Sequence, residues 1–143
     1  MVMRWMGAAA ALVVLVGGAA QAETIKFMAT LKGAAETPAN STTGTGMVMA
    51  SLDTATKTLT YKVNYSGLTG PATMAHFHGP AAPGVAAPPV VAVPKPALAN
   101  PISGTATLTD AQVADLEAGK WYFNIHTAAN PGGEVRGQMM EQH

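Results

Sequence analysis

The sequence predicts an all-β fold, a small Greek-key sandwich or barrel with one short connecting helix and one long proline-rich loop. Three observations predict it. Short runs of strict apolar–polar alternation recur along the chain, as expected of half-buried strands. A single segment carries the chemistry of a helix start and stop. Seven of the ten prolines fall between Gly79 and Pro101, which predicts an irregular crossover, neither strand nor helix.

Ile25, Phe27, Ala29 and Leu31 alternate with polar residues and mark the first strand. Gly46 to Leu52 is the second, and the polar turn Asp53-Thr54-Ala55-Thr56-Lys57 leads into the third, where Leu59, Tyr61, Val63 and Tyr65 alternate with Thr60, Lys62 and Asn64. That pair reads as a hairpin. Thr73 to His78 and Ile102 to Leu108 are the next strands. Thr109 and Gln112 then form a capping box, Leu108 and Val113 a hydrophobic staple, and Gly119 a stop, giving a helix of about two to three turns. Trp121 to Thr127 and Glu134 to Met139 complete seven strands, with the turn Asn130-Pro131-Gly132-Gly133 between the last two. No internal repeat is visible.

Met1 to Ala22 has the pattern of an export signal. Arg4 is its one positive charge, Gly7 to Ala20 is small and apolar throughout, and Ala20-Gln21-Ala22 fits a small-x-small cleavage site. The apolar run is shorter than the ~20 residues that span a bilayer, so cleavage is expected, leaving a β domain over 23–143 with no membrane segment. The expected location is periplasmic or secreted.

Composition narrows the function. The 143 residues carry eight basic and eight acidic side chains, which excludes nucleic-acid binding by phosphate neutralisation. There is no cysteine, so disulfides, thiolate metal sites and cysteine nucleophiles are excluded. Chemistry falls to His, Asp, Glu, Ser, Tyr or a bound metal.

His76-Phe77-His78 places two imidazoles on one face of a strand, about 7 Å apart at Cα, close enough to converge on one ion. His126 lies on the polar face of its own strand with Tyr122 and Asn124, opposite Trp121, Phe123 and Ile125. Arg136 occupies the matching face of the last strand. If those strands adjoin, His76, His78, His126 and Arg136 share one patch. Neutral imidazoles without a thiolate suit copper or zinc, with copper preferred by intrinsic affinity. Met74, on the His76 face, offers a soft ligand for Cu(I), although gap-filling is the commoner use of methionine. Glu134 and His143 are weaker ligand candidates, and Glu36, Asp110, Asp115 and Glu117 read as turn, cap and surface charges.

The chain resembles the CHRD domain family. The resemblance is carried by Phe27-x-Ala29-x-Leu31-x-Gly33-x-x-Glu36-x-Pro38, by Gly67-Leu68-Thr69 and by Ala75-His76-Phe77-His78-Gly79-Pro80-Ala81. It continues through Leu108, Gln112, Leu116 and Gly119 to the closing run from Tyr122 to Gln138. It implies an all-β exported domain. A second similarity is to the Cu/Zn superoxide dismutases, in the order His76-x-His78, late His126, then Arg136. It implies copper on the three histidines, with Arg136 as the catalytic guide for the superoxide anion. No bridging histidine, zinc-loop cluster or disulfide is present, so the version implied is mononuclear and copper-only. The expectation is therefore a superoxide dismutase-like copper protein. Its rivals are a copper carrier using the same ligands, and an interaction module that binds a protein partner through an exposed sheet or the proline-rich loop.

Overall fold

The computed structural model describes residues 22–143, so the signal peptide expected over Met1 to Ala22 lies outside the described residues but for Ala22 itself. Nine antiparallel strands form one sheet: β1 (Thr24–Lys32), β2 (Thr45–Asp53), β3 (Thr58–Ser66), β4 (Ala72–His78), β5 (Pro89–Ala92), β6 (Ile102–Thr107), β7 (Tyr122–Thr127), β8 (Val135–Gln138) and β9 (Met140–Gln142). Their spatial order is β5-β4-β7-β8-β1-β2-β3-β6, with β9 also paired to β1. The sheet curls back on itself: Tyr61 of β3 meets Phe77 of β4 edge-on, ring centroids 5.1 Å apart, although four strands lie between them in the sheet. The result is a nearly closed antiparallel barrel or sandwich, as the alternation predicts.

The local chemistry accounts for the connections. Asp53 Oδ1 accepts hydrogen bonds from the backbone of Ala55 and Thr56, and Lys57 takes a left-handed φ of 58°, which closes the β2–β3 hairpin. The helix α1 (Asp110–Glu117) has the expected capping box: Gln112 N–H donates to Thr109 Oγ1, and Thr109 N–H donates to Gln112 Oε1. Gly119, with φ 74°, ends it. The inward residues Phe27, Leu31, Leu52, Leu59, Phe77, Trp121, Phe123 and Ile125 make one core. Each such side chain contributes roughly 1.5–3 kcal/mol on burial.

Two expectations are corrected. The proline-rich segment is not wholly irregular, because β5 pairs with β4 and a 3-10 turn covers Lys95–Ala97. Its strand sits at the edge of the sheet, where a proline's missing N–H leaves no central ladder bond unmade. A further strand, β9, follows the expected last strand. β8 pairs with β7 and, at Arg136, with β1; β9 pairs with β1, and the core residue Met139 between β8 and β9 donates its N–H to Trp121 O.

Candidate metal centre

The strand order settles the adjacency that the sequence left open: β7 lies between β4 and β8. Across these strands Met74 faces His126, His76 faces Asn124 and then Arg136, and His78 faces Tyr122 and then Gln138. Alternation therefore lays all these residues on one face. The ring centroid of His76 lies 5.4 Å from that of His78 and 5.2 Å from that of His126. One ring nitrogen from each of the three lies within 4.8 Å of the others.

Hydrogen bonding fixes which nitrogens face inward. His78 Nδ1 lies 2.8 Å from Ala87 O, and His126 Nδ1 lies 2.8 Å from Pro131 O. A carbonyl only accepts, so each Nδ1 carries the proton and each neutral ring leaves Nε2 with its lone pair. Both Nε2 atoms point at Asn124 Oδ1, at 2.8 and 3.1 Å. Asn124 turns its amide nitrogen the other way, towards Glu36. The Asn124 amide thus lies within hydrogen-bond distance of both inward nitrogens. His76 adds a buried Nδ1 with no hydrogen-bond partner. Three imidazoles with ring nitrogens this close can hold a cation. Burial, then the neighbouring imidazoles, lowers the pKa of His76 below the ordinary histidine value, and burial does the same for His78. Both rings are therefore neutral at neutral pH and free to act as ligands.

A stack of aromatic and charged groups holds the arrangement. His78 lies flat on Tyr122, ring centroids 4.6 Å apart and planes within 5°, and the Arg136 guanidinium carbon stands 3.4 Å from the same ring's centroid. The segment after His78 supplies backbone to all three. Ala87 O accepts from His78 and from Tyr122 Oη, while Ala87 N–H donates back to Tyr122 Oη. Val85 O accepts from Arg136 at 2.8 Å. The proline-rich loop thereby covers Tyr122, while Glu36 and the β7–β8 turn lie over Asn124 and His126, so every residue of that strand is buried and not only its core-facing half.

Residues 27–139 match the family model of the CHRD domain. The chain belongs to the CHRD family. No curated protein and no solved structure matches it. The matched span encloses every residue of the histidine centre of this CHRD domain.

Within the CHRD domain the other sequence candidates separate. Arg136 is 1% exposed, and its donors go to Val85 O, Ala82 O and Thr37 Oγ1 inside the protein, so it lies beside the centre and not at its mouth. Met74 is 44% exposed at the rim, opposite His126. Glu134 is no part of the cluster. Its buried carboxylate accepts from Thr42, Thr69, Thr127 and Asn130, which ties two loops to the β7–β8 turn. Burial alone would raise its pKa, but the threonine bonds win and bring it to about 2. Glu36 is not a surface charge: it is buried under the β7–β8 turn against Asn124, and burial pushes its pKa up. Its position came from a fold-back of nearly 100 residues in sequence, for which the linear pattern carries no signal.

Proposed function

We propose that this CHRD domain is an exported, mononuclear copper protein with superoxide dismutase-like activity, holding its ion on His76, His78 and His126. The observation that carries the reading is that one ring nitrogen from each of the three histidines lies within 4.8 Å of the others, on one face of two paired strands. Three neutral imidazoles without thiolate or carboxylate favour copper over zinc. Copper bound there supplies one-electron chemistry, and the net reaction consumes two superoxide ions and two protons to give dioxygen and hydrogen peroxide. The protein's own part is positional. Ala87 and Pro131 hold the tautomers, Tyr122 and Arg136 hold the plane of His78, and His76, the least buried of the three, leaves an approach from solvent.

A copper carrier is the second reading, and the burial of Arg136 favours it: its guanidinium does not stand at the mouth to draw an anion in. The two readings part in one experiment. The copper-loaded mature domain is assayed for superoxide consumption and for copper loss to a competing chelator. Turnover with retained copper supports the enzyme. Rapid surrender of copper without turnover supports the carrier.

A further inference from the structure

A row of methionines lies on the outer face of β9-β1-β2, away from the histidine centre. Register puts Met140 opposite Met28, and Met28 opposite Met49, so three thioethers stand abreast on adjacent strands. Met47 lies two residues along β2 on the same face. Met140 is 56% exposed, Met49 54% and Met47 40%, and Met28 is half-buried between its neighbours. A shallow cavity of about 850 Å³ opens over this face, with Met28, Met49, Lys26 and Lys62 in its lining.

Strand formation does not call for methionine here, since β-branched and aromatic residues are the favoured strand formers. A merely apolar face would use Leu, Ile or Val as readily. Among the described residues, every exposed large apolar side chain except Val85 is a methionine. What this group shares is sulfur.

We infer that Met28, Met49 and Met140 form a second metal site, a thioether site for a soft monovalent ion of the Cu(I) class. Neutral thioethers select such ions over hard divalent ones. Residues directly opposite on neighbouring strands stand roughly 4.5–5.5 Å apart at Cβ, and three rotatable bonds let each sulfur swing towards an ion above Met28. Lys26 and Lys62 on the same face penalise a doubly charged ion more than a singly charged one. The site does not depend on the histidine centre.

The test uses Ag(I), which shares the charge and softness of Cu(I), on the mature domain carrying His76→Ala and His126→Ala. The expected result is one Ag(I) per chain with a sulfur-only first shell by X-ray absorption. Adding Met28→Leu, Met49→Leu and Met140→Leu, which keep apolar bulk, lowers the affinity by roughly a hundredfold or more. Met140→Leu alone, at an exposed position the fold tolerates, lowers it by about tenfold and decides the matter if the triple variant does not fold. No binding, a nitrogen or oxygen shell, or unchanged affinity in the leucine variants overturns the inference.

Discussion

At the scale of single residues, Asn124 and Glu134 carry the account. The Asn124 amide lies within hydrogen-bond distance of both inward nitrogens, so Asn124→Ala is expected to weaken metal binding by about 10–100-fold, read by competition against a chelator of known strength. Unchanged affinity would mean that the amide neither orients nor joins the ligands. Glu134 is a buried carboxylate held by hydroxyl, amide and backbone donors, with no ion-pair partner among the described residues. Its pKa of about 2 lies below the usual 4.5, so its contribution to stability is complete above pH 4.5 and disappears as the pH falls towards 2. Glu134→Gln should lower stability at neutral pH by roughly 2–4 kcal/mol and flatten the acid limb of a denaturation series between those values. An unaltered acid limb would contradict this. The three histidines were legible because a period of two dictates which side chains share a face. Asn124 was legible only as a neighbour of His126 on the polar face of its strand, since its contact with both imidazoles depends on β7 lying beside β4.

Among elements, the proline-rich segment and β8 decide how firmly the centre is held. The segment offers carbonyls to His78, Tyr122 and Arg136, and its prolines keep that backbone out of regular pairing so that the carbonyls stay available. Removing the Arg136 side chain would strand Val85 O and uncover the ring of Tyr122. Arg136→Ala is therefore expected to destabilise the domain by about 3–5 kcal/mol in urea denaturation, a structural effect and not a loss of anion steering alone. A change within ~0.5 kcal/mol, with slower superoxide turnover, would return Arg136 to the guiding role that its sequence position suggested. In β8, a Cβ on Gly137 would stand 2.1 Å from Thr30 O, so Gly137→Ala must push β8 off β1 and should lower the thermal midpoint markedly. Equal midpoints would show that the strands separate without penalty. β9 was not legible because its three residues, Met140–Gln142, are too few to show an alternation.

For the whole molecule, the curled sheet brings distant segments together. β4 and β7, with α1 and two further strands between them in sequence, are neighbours in space, and that pairing assembles the histidines. The fold class followed from alternation, from the capping box and from the clustering of proline, because each is set by chemistry within a few residues. Strand order was not legible, since it rests on pairings between residues far apart in the chain. Phe77 shows how the two levels meet: it lies between His76 and His78, fully buried, with Tyr61, Trp121 and Phe123 around it. Phe77→Ala is expected to destabilise the domain by about 3–5 kcal/mol and to loosen both flanking ligands, so thermal stability and metal affinity fall together. Lost stability with undiminished affinity would show that the core does not position the centre.

The most direct test of the central claim is the metal content of the mature domain, expressed in a periplasm supplied with copper and purified in air, counted beside the His76→Ala/His126→Ala variant. One Cu(II) per chain, with nitrogen ligands, is expected by paramagnetic resonance, absent from the variant. A chain that folds but holds no Cu(II), or a variant that holds as much as the parent, would contradict it.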